Sequence, residues 1–206
     1  MDRLLALLSD NRAARRGLTG VAVILLAGAL VLLGFPVYSN IVHNSKQSAL
    51  RQQLSSPAVR EAYVAGAIKD GQSLTRITIP SIAVNVVVVQ GTDEKALEAG
   101  AGHYPTTPLP CEMGDVAIAG HRTTYGKPFS NINLLAVGDQ ITLTTPVGSC
   151  VYRVTQAPFS VPNTDVAVVD NTPSAHTLTL TSCTPKGSAA DRIIIKAQMV
   201  SSETVA

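Results

Sequence analysis

Tryptophan is absent from this sequence. Its aromatic complement is five tyrosines and three phenylalanines, 4% of 206 residues. A core organised on large rings is therefore excluded, and Val, Ile and Leu must supply most of the buried volume. The formal net charge is only +2, with no dense basic run outside the N-terminus, so there is no nucleic-acid footprint. The three cysteines and four histidines are scattered without C-x-x-C or H-x-x-x-H spacing, which argues against a metal centre. A Walker loop, a dinucleotide-binding glycine fingerprint and a G-x-S-x-G elbow are all missing. There is no internal repeat and no low-complexity tract.

One long apolar run is present. No charged residue occurs from Gly17 to Val42, and its apolar heart, 18–37, is about 20 residues, enough for a helix to cross a bilayer core. Arg12, Arg15 and Arg16 precede it, so the positive-inside rule keeps the N-terminus cytoplasmic and sends the rest of the chain outward. A cleaved signal peptide fits less well, because the run exceeds an ordinary h-region and no A-x-A site follows. The expected organisation is a cytoplasmic tail over 1–16, a transmembrane signal-anchor over 17–38, a part-helical or flexible extracellular stalk over 39–72, a catalytic domain over 73–200 and a polar tail over 201–206.

Beyond Thr75 the chain turns β-rich. Runs at 76–79, 82–89, 116–119, 140–144, 151–154, 166–169, 177–181 and 193–200 are bounded by Gly, Pro, Asn or Asp, and a short helix over 93–99 stops at Gly100. Many short strands with turn punctuation predict an all-β barrel or sandwich with short helices, preceded by one transmembrane helix.

Three strand ends carry chemistry. The run 178–182 leads into Cys183, followed by Thr184 and Pro185; the run 115–120 ends in His121; and Arg192 opens the run 193–195. A thiol attacks as thiolate, an imidazole can take and return its proton, and a guanidinium can hold an oxyanion. Each residue also has an ordinary reading, as a buried cysteine, a structural histidine or a surface arginine. His43 adjoins the apolar run, His176 belongs at the far end of the Cys183 strand, and His103, in Gly102-His103-Tyr104, suits a structural or wall role.

Taken together these residues resemble the sortase family, the cysteine transpeptidases of Gram-positive surfaces. The TLxTC signature is matched by Thr179-Leu180-Thr181-Ser182-Cys183, the histidine segment by Ala119-Gly120-His121-Arg122, and the arginine by Arg192. Ile79-Pro80-Ser81-Ile82, Gly91-Thr92-Asp93 and Gly100-Ala101-Gly102-His103-Tyr104-Pro105 are also similar. Ser182 departs from the usual Thr, and Thr184 stands where relatives often have His. The resemblance implies an eight-stranded sortase β-barrel with Cys183, His121 and Arg192 at one end. It implies cleavage of a LAxTG or LPxTG sorting signal between Thr and Gly through a Cys thioester, then transfer to a cell-wall amine or a pilin lysine, without a cofactor. The partners implied are secreted surface proteins bearing such a signal and the membrane that holds the anchor. The Gly-His-Tyr-Pro segment and the short polar C-terminus look most like class E, with classes D and F as alternatives. Tyr104, Thr181 and Ser182 are the implied substrate contacts, and 158–174 is the implied wall for the apolar part of the signal. Calcium assists some relatives, but this sequence offers no convincing carboxylate cluster for it.

Cys111 and Cys150 remain once Cys183 is assigned. In an oxidising space leftover thiols often pair, so a disulfide between them and two free thiols both stay open. Two other functions fit the same residues: a cysteine protease or amidase in which water resolves the acyl-enzyme, and a non-enzymatic surface-binding β-domain.

Overall fold

The structure, a computed structural model, describes residues 12–170 and 172–204. The chain divides into two units, the first ending at Tyr38 and the second beginning at Ser39. A helix, α1 (Arg12–Leu54), contributes to both. In the first unit it exposes Leu18, Ile24, Leu26, Leu30 and Leu33 around its circumference, and it is long and apolar enough to cross a membrane once. Residues 1–11 of the expected tail lie outside the described residues; 12–16 are helical.

The second unit is built on β1 (Ser73–Ile79), β2 (Val84–Gln90), β3 (Ala101–His103), β4 (Gly114–Ala119), β5 (Gln140–Thr145), β6 (Gly148–Val154), β7 (Phe159–Pro162), β8 (His176–Thr184) and β9 (Asp191–Thr204). Their order is β6-β5-β1-β2-β3-β4-β8-β9, and β9 pairs back onto β6, so eight strands close into a barrel. β9 serves two neighbours on one side: residues 191–194 pair with β7, and 197–204 pair with β6. The register slips between Val151 and Tyr152 of β6 where this second pairing runs. Closure leaves the ring no free edge. Alternate residues fill its interior: Ile77, Ile79, Val88, Val116, Ile118, Ile141, Leu143, Tyr152, Leu178, Leu180, Ile193 and Ile195 are buried in one cluster. Phe129 is also buried there, on the segment after His121.

Several expectations need correction. Residues 166–169 are not a strand; Ala167–Val169 form a 3-10 turn, and Val166 is 73% exposed. β-branched residues favour strands only with a partner to pack on, and here Asp165 turns back on the Pro162 carbonyl. The 82–89 run begins only at Val84, because Pro80–Ile82 is a 3-10 turn and Ala83 is left-handed at φ 55. Ser201–Thr204, expected as a tail, continue β9 opposite Val151–Gly148; 205–206 lie outside the described residues.

The stalk is the largest departure. Residues 39–54 of α1 pack on the barrel through Ser39, His43, Gln47 and Leu50, a single helical face that is mostly polar. The reason is a backbone vacancy. β3 joins β2 only from Val88 onward, so the Val87 peptide lacks a strand neighbour on that side. Gln47 takes the place: its Oε1 accepts from Val87 N–H at 2.7 Å, and its Nε2 donates to the carbonyls of Val87 at 3.1 Å and Ala99 at 2.7 Å. A buried peptide group left unpaired is costly, so a glutamine on the helix stabilises what would otherwise be an apolar contact. Gly100 is required there, since a Cβ would collide with the Gln47 amide. Lys46 adds a 2.8 Å ion pair to Glu98, and Ser73 N–H donates to Gln53 Oε1 at 2.9 Å. The helix α2 (Pro57–Val64), capped by Ser56, is held by Tyr63, whose hydroxyl donates to the Pro110 carbonyl at 2.5 Å.

Cys111 and Cys150 are joined by a disulfide with Cα atoms 5.6 Å apart. It ties the segment before β4 to β6 and closes a loop spanning 39 residues. Ellman titration of the denatured, unreduced chain is therefore expected to count one thiol. Chain-entropy arguments put the loss in Cys111→Ser/Cys150→Ser at about 3–4 kcal/mol of unfolding free energy. For Gln47→Ala, urea unfolding is expected to show a loss of about 2–3 kcal/mol, because a buried N–H and carbonyl lose their partner.

Candidate active site

β8 lies between β4, to which it is parallel, and β9, to which it is antiparallel. Ala119 is level with Thr181, and Gly120 N–H donates to the Thr181 carbonyl at 3.1 Å. The pairing ends there: His121 follows two residues after the end of β4, and Cys183 two residues after Thr181 on β8, at the same end of the barrel. On the other side Cys183 is the direct partner of Arg192. Cys183 and Arg192 thus stand side by side, and His121 is on the segment that leaves β4 at the same end of the barrel. Cys183 is a free, partly exposed thiol.

His121 is half-buried, and burial lowers its basicity below that of an ordinary imidazole, while Glu98 and Glu94 act in the opposite direction. Its Nε2 has no hydrogen-bond partner within the described residues. The Tyr125 ring lies 5.5 Å away, tilted by 39°. The turn after His121 is strained at Tyr125 and Lys127, which have φ of 47° and 40°, while Gly126 between them takes φ 71° without cost. His43, on the docked part of α1, packs so closely on Gly126 that a Cβ there would overlap its ring. The face of α1 that seats on the barrel therefore also supports the histidine turn.

Arg192 donates to the carbonyls of Ala189 at 3.1 Å and Asp191 at 3.2 Å, shaping the short connection between β8 and β9. A second guanidinium is close by. Arg122 is only 6% exposed, and donates to the Cys183 carbonyl at 3.3 Å and to Asn133 Oδ1 at 2.9 Å. Its desolvation weakens its hold on the proton, and the neighbouring thiol, when ionised, offsets this. Sequence reasoning passed over Arg122 as the residue after the histidine. The only signal was that adjacency, and an arginine is rarely buried unless paired.

Of the expected substrate contacts, Tyr104 and Thr181 meet, with Oη and Oγ1 3.1 Å apart. Ser182 does not join them: it is buried, and its hydroxyl donates to the Gly120 carbonyl at 2.6 Å. Alternation along β8 turns Ser182 away from the Cys183 face, so its hydroxyl locks β4 to β8 instead of facing substrate. His103 is fully buried beneath the Tyr104 segment. Its Nε2 is 2.8 Å from the Pro108 carbonyl, which can only accept, so that nitrogen carries the proton. Its Nδ1 lies 2.9 Å from the Gln90 side-chain amide. His176 begins β8 at the opposite end, with Nδ1 3.0 Å from the Glu112 carbonyl. Among the described residues no three His, Cys or carboxylate side chains converge as metal ligands.

Burial lowers the pKa of His103 from 6.5 to about 4. The unfolded chain then binds the extra proton first, so stability falls as pH drops from about 6.5 to about 4, by about 3 kcal/mol at 1.36 kcal/mol per unit. Urea unfolding across this window is expected to show that loss, reduced in His103→Gln. An equal pH dependence in the variant would rule out His103 as its source.

The sortase-domain profile matches residues 77–200. Sortase SrtE1 of Streptomyces coelicolor is 29% identical over 218 residues, covering 92% of this chain but only 61% of that protein's length. Sortase D of Bacillus subtilis is 28% identical, covering 87% of this chain and 98% of the relative. The structure of the Clostridium perfringens sortase D5 transpeptidase is similar at TM-score 0.67 and 30% identity, over 78% of this chain and 99% of that one. The chain belongs to the sortase family, the cysteine transpeptidases.

Proposed function

We propose that this sortase anchors secreted proteins to the cell wall, with Cys183 as nucleophile, His121 as acid and base, and Arg192 as oxyanion and backbone holder. The observation that supports these roles is the direct pairing of Cys183 with Arg192, beside the end of β4 that leads into His121. The Cys183 thiolate attacks the carbonyl carbon of Thr in a LAxTG or LPxTG signal, and negative charge moves to its oxygen. The C–N bond to Gly then breaks, and the departing amine takes a proton from His121, leaving a thioester. An amine of a cell-wall precursor attacks the thioester, His121 recovers a proton, and Cys183 is released. Arg192 donates toward the oxyanion once it exchanges the carbonyls of Ala189 and Asp191 for substrate. The first unit is a single-pass anchor with Arg12, Arg15 and Arg16 on the cytoplasmic side, which leaves the barrel outside, where the Cys111–Cys150 bond is stable. The Tyr104–Thr181 pair and the likeness to SrtE1 support a class E preference for LAxTG.

The test uses residues 39–206 with LAxTG and LPxTG peptides and a glycine-based amine, followed by mass spectrometry. A ligated product is expected, favouring LAxTG, with losses of at least about a thousandfold in Cys183→Ala and His121→Ala and about a hundredfold in Arg192→Ala. Cleavage without ligation would replace the transpeptidase reading by the hydrolase one.

A further inference from the structure

Among the described residues there are two ion pairs, and the buried one has no part in the reaction above. Asp115 of β4 is 1% exposed, and Lys196 of β9 reaches it at 3.2 Å. Thr179 of β8 stands between them and donates its hydroxyl to Asp115 Oδ2 at 2.6 Å. An ammonium has three N–H groups. Those of Lys196 go to Asp115 Oδ2, to Thr179 Oγ1 at 2.6 Å and to the backbone carbonyl of Val168 at 2.7 Å. The third bond leaves the barrel wall: Val168 belongs to the 3-10 turn in the segment between β7 and β8.

The placement matters because of the face it occupies. Thr179, Thr181 and Cys183 alternate with the core residues Leu178 and Leu180, so they lie on the outer face of β8. Asp115, Ala117 and Ile194, which are buried yet outside the barrel cluster, share that face on β4 and β9. The segment after β7 starts next to Arg192, since Val161 pairs with Arg192 and Asn163 N–H donates to the Ala190 carbonyl. Its turn then packs on β4. Thr179 is four residues from Cys183 along β8, about 13 Å at strand rise. An extended peptide covers that distance in about four residues. A signal with its Thr carbonyl at Cys183 and lying along this face would place its first, apolar residue three positions earlier, about 10 Å along, within one residue of the Thr179 level.

We propose that Lys196 is a positioning residue: held by buried Asp115 and Thr179, it fixes the 163–170 segment over the outer face and so sets how tightly the apolar end of the sorting signal is bound. This rests on the sortase reading of the Cys183 site. A lysine suits the role because its point charge satisfies a carboxylate, a hydroxyl and a carbonyl at once, whereas a neutral side chain removes the cation from a buried carboxylate.

Lys196→Met alone risks the fold, because Asp115 would remain buried and charged. The test therefore uses the full chain in nanodiscs carrying D115N/K196M, which removes both charges, with Thr179→Val as a milder variant that keeps them. Hydrogen exchange over 163–170, alkylation of Cys183 and ligation kinetics are measured together. The double variant is expected to speed exchange in 163–170 at least about tenfold and to raise KM for the signal peptide about tenfold, with kcat and Cys183 alkylation within about threefold. Thr179→Val should move the same quantities in the same direction by about threefold. Unchanged exchange in a folded variant overturns the proposal, whether or not any peptide is turned over. Faster exchange with unchanged KM overturns the link to substrate. Absence of ligation by the wild type counts against the sortase reading of the site, while the exchange data still decide whether Lys196 holds the segment.

Discussion

The catalytic end of this protein depends on how β8 is registered between β4 and β9. A parallel partner on one side and an antiparallel partner on the other set the level of Cys183 against Arg192 and against the end of β4 that leads into His121. A slip of one residue on either side would turn alternate side chains to the wrong face, sending Cys183 inward and Ser182 outward. The register is held from both faces. Inside, Leu178, Leu180, Val116, Ile118, Ile193 and Ile195 interdigitate in the core. At the strand end, the Ser182 hydroxyl and Thr181 carbonyl grip Gly120, and Arg122 grips the Cys183 carbonyl.

Polar groups in this domain do most of their work at places where strands stop. Gln47 completes the Val87 peptide where β3 is too short to reach it, and His103 and Thr107 hold the chain where it leaves β3 for β4. In each case a side chain replaces a missing strand neighbour, because an unpaired buried peptide costs more than ordering the side chain that serves it. One result is that the docked part of α1 belongs to the catalytic unit. Its Gln47 closes the wall of the barrel, and its His43 backs the turn that follows His121.

Much was legible in the chain itself. Short β-branched runs separated by Gly and Pro indicate a β-barrel because the pleated half-buried surface selects them, and the apolar heart of the helix, about 20 residues, needs no partner to be recognised. What misled were segments whose composition and context disagree. The valines at 166–169 resemble a strand but have no neighbour to pair with, and the polar face at 39–50 resembles a stalk because its burial rests on hydrogen bonds instead of apolar area. Arg122 was invisible for the same reason: its burial follows from its partners Asn133 and Cys183, the second of them sixty-one residues along the chain.

By itself the sequence determined an apolar helix long enough to cross a membrane, the β class of the domain and the candidacy of one cysteine, one histidine and one arginine, since these follow from local hydropathy, propensity and residue chemistry. Only the tertiary structure decided that Ser182 faces inward, that Arg122 reaches the Cys183 carbonyl, that Cys111 meets Cys150 and that Lys196 reaches the Val168 carbonyl. Those facts depend on which strands become neighbours and in what register, and register is a property of pairs of distant segments that no single segment carries.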